Sequence, residues 1–280
     1  DILKDRAFAL NVLGIAYIYI GRIEDAIATL QSCAELYGTL NMPQEQVKPY
    51  VNLSSALVRI GRYDQAVEII KAGLEAARMV EDINGQSHLL TNLGVCYQLQ
   101  DNLEEAAACY QEALPLCRTI GNRPVEAICL SNLGEVMLSQ DNYKAAIEYA
   151  NAAKVILSDI HDQRNLLESL NVLAIAHVRL KQYPIAKSYI IEALQTALKV
   201  NVSPSLMLAL LPLGLYYQAL GNNDEAFRIL SFVGEHPATE VFVRKSAQKF
   251  LSECSPAQVA PLSDEDIEAY VRQHLATWAH

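Results

Sequence analysis

The sequence predicts an all-α solenoid of six helical hairpins followed by C-terminal capping helices, and three observations carry that expectation. A leucine recurs at 13, 53, 93, 133, 173 and 213, and an alanine at 26, 66, 106, 146, 186 and 226. Between the two series, turn-forming pairs break the chain at the same point of the unit. Both series step by 40 residues without a slip. Such a fixed period marks a repeat architecture, and it explains how 280 residues fold with no junction between two kinds of domain.

The first helix of each unit follows from the leucine series. Leu10, Leu13 and Tyr17 fall at i, i+3 and i+7 on one stripe, and the small residue after each leucine (Gly14, Ser54, Gly94, Gly134, Ala174, Gly214) lets a neighbouring helix approach closely. Three residues further stands Tyr17, Leu57, Tyr97, Met137, His177 or Tyr217. Gly21-Arg22, Gly61-Arg62, Asp101-Asn102, Asp141-Asn142 and Gly221-Asn222 then end the helix. In the second helix Ala26, Leu30 and Cys33, or Ala106, Tyr110 and Ala113, take the i, i+4, i+7 spacing that packs back on the first. One hairpin cannot bury its face alone, so stacking must supply the core.

The prolines divide along the same lines. Pro124 and Pro204 sit near first-helix starts, and Pro184 falls in the first turn of a second helix, where a missing N–H is harmless. Pro212 lies well inside the last first helix and predicts a kink or a late start. The register ends at residue 236, which sets the repeats at 1–236 and the caps at 237–280. Ala238 to Glu253 and Asp264 to Ala276 read as two further helices, the first able to cap the last hairpin; Ser263 before Asp264, Glu265 and Asp266 is an N-terminal cap signal.

On these residues the chain resembles the tetratricopeptide repeat family, whose signature is a large residue, then L-G-x-x-Y, then A-x-x-x-F-x-x-A. The resemblance covers about residues 5 to 236, with two departures. The period is 40 in place of 34, and Leu10, Tyr50, Leu90, Leu130, Leu170 and Leu210 stand where the family often has Trp. HEAT-type repeats share the length but not L-G-x-x-Y with Ala thirteen residues after the leucine. The resemblance implies a right-handed superhelix whose first helices line the concave side. The 40-residue array also looks like the C-terminal sensor arm of bacterial STAND-type, maltose-activator-like ATPase regulators; Glu225 to Cys254, with its G-E-H-P-A-T turn, is similar to the ends of such chains.

Composition narrows the function. Hydrophobic residues make up 51% and charged ones 19%, enough to fold throughout, and the net charge of −10 comes with no basic run, so nucleic acid is not expected as a partner. The longest apolar stretch, Leu206 to Tyr217, is broken by Pro212 and is shorter than the roughly 20 residues of a membrane span. Six scattered cysteines without a C-x-x-C pair read as apolar fillers in a reducing, cytoplasmic setting. No phosphate loop, dinucleotide fingerprint, zincin, nucleophile-elbow or EF-hand pattern occurs, so the expectation is no enzyme, no cofactor and no metal. Glu24-Asp25 and Glu104-Glu105 open second helices, where they face the positive helix end. The six histidines, at 88, 161, 177, 236, 274 and 280, do not cluster, and His177 replaces the repeat's tyrosine as a core residue.

The residues just before three successive leucines are Asn52, Asn92 and Asn132, with Lys48, Ser55 and Arg59, then His88 and Val95, then Ile128, Glu135 and Ser139 around them at helical spacing. Flanking repeats carry Val12 and Val172, with Asn11 and Asn171 displaced by one. An amide both donates and accepts, so it pairs with an extended peptide backbone whatever its sequence. Peptide-binding tetratricopeptide proteins use asparagines at this motif position, which the resemblance implies for Asn52, Asn92 and Asn132. The alternative is that these amides bond neighbouring helices and only hold the stack. The candidate groove is Lys48, Asn52, Arg59, His88, Asn92, Asn132, Glu135, Asn171 and Arg179. The family's carboxylate clamp is met only by Lys48 and Asn52, because His88 and Asn92 stand where Lys and Arg are needed.

The leading expectation is therefore an interaction or sensor module whose groove binds a peptide or protein segment. The alternative is a domain of a transcriptional or ATPase regulator that senses a small effector, a sugar or a nucleotide, in a compact polar pocket near Glu135, Glu168 and Arg179. Because the first motif begins within about ten residues of Asp1 and some forty residues follow the last hairpin, a domain preceding Asp1, an ATPase switch, is expected to carry the activity, while this fragment neither binds nor hydrolyses ATP.

Overall fold

Backbone in the left-handed region recurs at Gly21, Gly61, Asp101, Asp141, Lys181 and Gly221, with φ of 77°, 76°, 65°, 58°, 59° and 80°. Each of these residues ends a first helix in the same way. The N–H of Gly21 donates to the Ile18 carbonyl and that of Arg22 to the Tyr17 carbonyl, and the pair of bonds repeats at 61/62, 101/102, 141/142, 181/182 and 221/222. This is the Schellman closure, which satisfies the last carbonyls of a helix through one left-handed residue. A second series at Asn41, Glu81, Gly121 and His161 closes the second helices with the same sign of φ. A period of 40 residues thus holds two reversals, and the chain folds back twice per repeat.

The structure is a computed structural model that describes residues 2–200, 203–254, 259–260, 262–263 and 267–278. Among the described residues the chain forms fourteen helices and no strand. In order they are α1 (Ile2–Tyr19), α2 (Ile23–Thr39), α3 (Pro43–Arg59), α4 (Tyr63–Met79), α5 (Ile83–Leu99), α6 (Leu103–Ile120), α7 (Arg123–Ser139), α8 (Tyr143–Asp159), α9 (Gln163–Arg179), α10 (Tyr183–Val200), α11 (Ser203–Ala219), α12 (Asn223–Glu235), α13 (Val241–Ser252) and α14 (Ile267–Trp278). No described helix is long and apolar enough to cross a membrane.

Two compact units follow one another, residues 1–132 and 133–280. In the first, α1–α2, α3–α4 and α5–α6 are antiparallel hairpins; α2 packs on α3, α4 on α5, and the first helices α1, α3 and α5 lie side by side. In the second, Gly134 of α7 lies against Ala146 and Ala150 of α8. There α8 packs on α9, α9 on α10, α10 on α11 and α11 on α12, with α9 beside α11. Helix α13 packs on α12 and touches α11, while α14 lies on α10. Trp278 of α14 stands 5.4 Å from the Tyr216 ring, edge-on, with the Lys187 ammonium 5.0 Å from its own ring centre.

All six alanines of the series are fully buried. They are the points where the two helices of a hairpin come closest, and a larger side chain has no room there. Five of the leucines are buried as well, from Leu53 at 2% exposure to Leu213 at 0%, but Leu13 is 43% exposed. Its helix is covered by α2 and α3 only. The cysteines Cys33, Cys96, Cys109, Cys117 and Cys129 are buried and free, Cys254 is half-buried and free, and Cys33 donates from Sγ to the Ala7 carbonyl at 3.1 Å.

The helices differ from the sequence expectation in three places. Helix α11 runs from Ser203 straight through Pro212, with no late start. Nearly every residue from Ser205 to Tyr216 is buried, so packing on all sides outweighs the one hydrogen bond that a proline removes. The turn at Lys181 carries no Gly, Asn or Asp, yet it has the same left-handed geometry as the rest. Helix α13 begins at Val241, later than Ala238, because Ala238 and Thr239 belong to a turn in which Thr239 N–H donates to the His236 carbonyl. Asp264, Glu265 and Asp266 of the expected cap, and His280, lie outside the described residues.

Candidate functional site

Lys48, Asn52, Ser55 and Arg59 lie at i, i+4, i+7 and i+11 of α3, on one stripe opposite the buried set Val47, Leu53, Ala56 and Leu57. Helices α1 and α5 flank α3, so the stripe lies on the open face of a row of first helices. Lys48 and Arg59 are exposed and make no ion pair among the described residues. The half-buried amides between them are engaged. Asn52 donates through Nδ2 to Oδ1 of Asn11 at 3.3 Å. Asn92 donates through Nδ2 to Oγ of Ser54 and Oγ of Ser55, each at 2.9 Å, and to the Val51 carbonyl at 3.4 Å.

Both amides therefore tie neighbouring first helices together, through their donors. Each carbonyl oxygen remains an acceptor that a peptide N–H could use. Asn132 is half-buried at the same register of α7. His88 is half-buried, and its Nε2 lies 3.5 Å from Nδ2 of Asn122, which itself donates to Oδ1 of Asn84 at 2.9 Å. Burial holds the His88 imidazole below the ordinary histidine range, against the opposing pull of Asp82. His88 is therefore neutral near physiological pH and does not replace the missing cation of a carboxylate clamp.

The second unit presents the opposite charge. Glu135 of α7 and Glu168 of α9 are both half-buried. Burial first, and then the Glu135 and Glu240 carboxylates, push the Glu168 carboxyl up to about 8; Asp162 adds to this and Arg164 opposes it. Arg164 is itself mostly exposed and reaches Glu240, Nη2 to Oε1 at 3.7 Å. Three residues beyond Glu168 on α9 stands Asn171, 2% exposed, whose Oδ1 has no hydrogen-bond partner. Thr239, next to Glu240 and 6% exposed, likewise has an unpartnered Oγ1.

Arg179 stands elsewhere than the sequence placed it. Its Nη1 and Nη2 donate to the two carboxylate oxygens of Glu253 at 3.1 and 3.4 Å, and its guanidinium lies 5.0 Å over the Phe250 ring. It fastens α9 to the end of α13 and does not offset the charge of Glu168. Glu240, Thr239 and Arg164 were not singled out in the sequence. Glu240 and Thr239 lie past the repeat register, so no spacing could have brought them to Glu168. Among the described residues no group of three or more His, Cys, Asp or Glu is arranged to hold a metal ion.

Comparison with known proteins places this geometry. Family models described as tetratricopeptide repeat match residues 12–39, 45–119, 85–154 and 166–203, together more than half of the chain. The chain is 24% identical over 146 residues to outer dynein arm-docking complex subunit 4 of Danio rerio, covering 52% of this chain and 29% of that protein. It is 24% identical over 152 residues to the regulatory protein AfsR of Streptomyces coelicolor, covering 54% of this chain and 15% of that protein. The matched part is thus under a third of either relative's length. Among solved structures, a signal-transduction ATPase with numerous domains (STAND) and a tetratricopeptide repeat sensor, from Pyrococcus horikoshii, is similar with a TM-score of 0.66 and 16% identity over 99% of this chain and 39% of that one. That likeness is one of fold.

Proposed function

Because the chain belongs to the tetratricopeptide repeat family, we propose that it is an interaction or sensor module that binds an extended peptide or protein segment on the open face of its first helices, within a larger regulatory protein. One observation carries the reading. The α3 stripe of the first unit sets the exposed cations Lys48 and Arg59 on either side of Asn52, whose donor is engaged with Asn11 while its carbonyl remains an acceptor. Such a face offers backbone acceptors to an extended chain and positive charge to its acidic side chains. The name of AfsR as a regulatory protein and the sensor part given to the Pyrococcus repeats support placing the module in a regulator. A switch domain in the same chain, an ATPase, would then respond to capture, provided that the ligand discriminates between the two states of the switch.

The test is an array of random extended peptides probed with the protein, followed by affinity measurement on the peptides retained. Asn52→Ala combined with Lys48→Ala is expected to weaken capture about three- to thirtyfold, from one hydrogen bond and one exposed charge, with little change in melting. Asn92→Ala, by contrast, is expected to lower the melting temperature, since it leaves Ser54 and Ser55 without their partner. Undiminished capture by the double variant would remove the α3 stripe from the reading. A second reading, a small effector, is favoured in the second unit by the buried unpartnered acceptor of Asn171 beside Glu168.

A further inference from the structure

We infer that the Glu135–Glu168 face of the second unit is a pocket for a cationic group, a guanidinium or an ammonium, carried by the ligand. The inference deepens the proposed binding role and rests on it. The charges that face Glu168 are Glu135, Glu240 and Asp162 on the negative side and Arg164 alone on the positive side. Arg164 is committed to Glu240 and stays largely in water, so the carboxylates around Glu168 are undercompensated. Among the described residues nothing donates a hydrogen bond to the Glu168 carboxyl. A carboxylate moved out of water beside like charges needs a proton or a cation.

The two unpartnered buried atoms say which of these the site suits. Asn171 Oδ1 lies on the same stripe of α9 as Glu168, and Thr239 Oγ1 stands beside Glu240. A proton on Glu168 leaves both of them unsatisfied, at the expense that any buried orphan polar group carries. A guanidinium has five N–H donors in a planar fork, enough to bond both carboxylates and still reach an amide oxygen; an ammonium has three. Phosphate-bearing ligands are repelled by the same charges, so a nucleotide effector does not fit this face. The cation can come from an arginine or lysine side chain of a peptide or from a free amine.

The experiment uses the full chain and three probes: the peptide acetyl-Ala-Ala-Arg-Ala-Ala-amide, the same peptide with neutral citrulline for arginine, and agmatine. Binding is read near neutral pH by calorimetry and by NMR shifts at Asn171. The arginine peptide is expected to bind about tenfold or more tightly than its citrulline twin, because the isostere keeps the shape and loses the charge. Glu168→Gln is expected to abolish that preference. Agmatine binding as well as the peptide assigns the cation to a free amine; peptide binding alone assigns it to a side chain. Equal binding of the arginine and citrulline peptides, binding of none of the three probes, or a preference that survives Glu168→Gln overturns the pocket. Loss of the α3 capture described above would leave these results untouched, so the two failures are distinguishable.

Melting separates a binding role from a structural one. The folded protein keeps the Glu168 proton up to about pH 8, whereas an unfolded chain releases it near the ordinary glutamate value. Between those limits the native state holds the extra proton, so this group lowers stability as pH rises and its full penalty is reached above about pH 8. Glu168→Gln should therefore melt higher than the parent in alkaline buffer and alike in acid. A variant that melts lower at every pH would make Glu168 a structural residue and overturn the inference.

Discussion

A methyl group added at Gly94 would lie 2.5 Å from Cε1 of Tyr110, closer than atoms pack, and a ring held against its own hairpin cannot move aside cheaply. The same addition at Gly134, one repeat later, meets nothing nearer than the Ala150 nitrogen at 3.4 Å. The motif treats both glycines alike; the difference is the residue opposite, sixteen positions on, Tyr110 in one hairpin and Ala150 in the other. Gly94→Ala is expected to destabilise by about 1–3 kcal/mol through overpacking. Gly134→Ala is expected to be neutral or to stabilise by up to about 1 kcal/mol, because alanine loses less backbone entropy in a helix. Chemical denaturation midpoints of the two variants check both signs, and a common sign would mean that the facing side chain does not set the packing. The site shows the same limit at this scale. Asn52, Asn92 and Asn132 were legible as a row from their spacing, but not the direction of each amide, which depends on whether a hydroxyl such as Ser54 or Ser55 stands within reach.

The helices themselves were legible because one pattern is written six times, so an ambiguous copy is read from the others. Lys181 shows how this works at the turns. Gly21, Gly61 and Gly221 announce a left-handed residue by type, whereas Lys181, with φ of 59°, is found only by counting 40 from Asp141. A side chain in that region costs about 1–2 kcal/mol relative to the right-handed one, and glycine does not bear that cost. Lys181→Gly is therefore expected to raise stability by about 0.5–1 kcal/mol, the strain relieved less the added entropy of the unfolded chain. Gly221→Ala should lower it, although a methyl there meets nothing within 4 Å, so its effect isolates the backbone term. Thermal melts of the two variants should shift in opposite directions; a drop with Lys181→Gly would mean that the Lys181 side chain contributes more than its backbone strain removes. Pro212 marks where local rules give way. The proline predicts an interruption, and the buried run from Ser205 to Tyr216 overrides it, a competition between packing and one lost bond that no local window of sequence displays.

In a stacked array stability is close to a sum over each hairpin and its neighbours, so elements with fewer neighbours open first. In the first unit α3 is packed by α1, α2, α4 and α5, whereas α1 is packed by α2 and α3 alone. Its outer side shows the result: Phe8 is 63% exposed, Val12 50% and Leu13 43%, while Leu53 in the equivalent place on α3 is 2% exposed. Native-state hydrogen exchange is accordingly expected to find the amides of residues 2–19 released by a partial opening, well below the free energy that frees α3 and α5, and with a weak denaturant dependence because little surface is uncovered. Two substitutions give an independent check. Leu13→Asp places its charge in water and should shift the melting temperature little, whereas Leu53→Asp buries an unpaired charge and should unfold the repeat around it. Protection of α1 equal to that of α5, or a collapse caused by Leu13→Asp, would mean that the outer face of α1 is covered in solution, and that the first hairpin owes its order to whatever covers it.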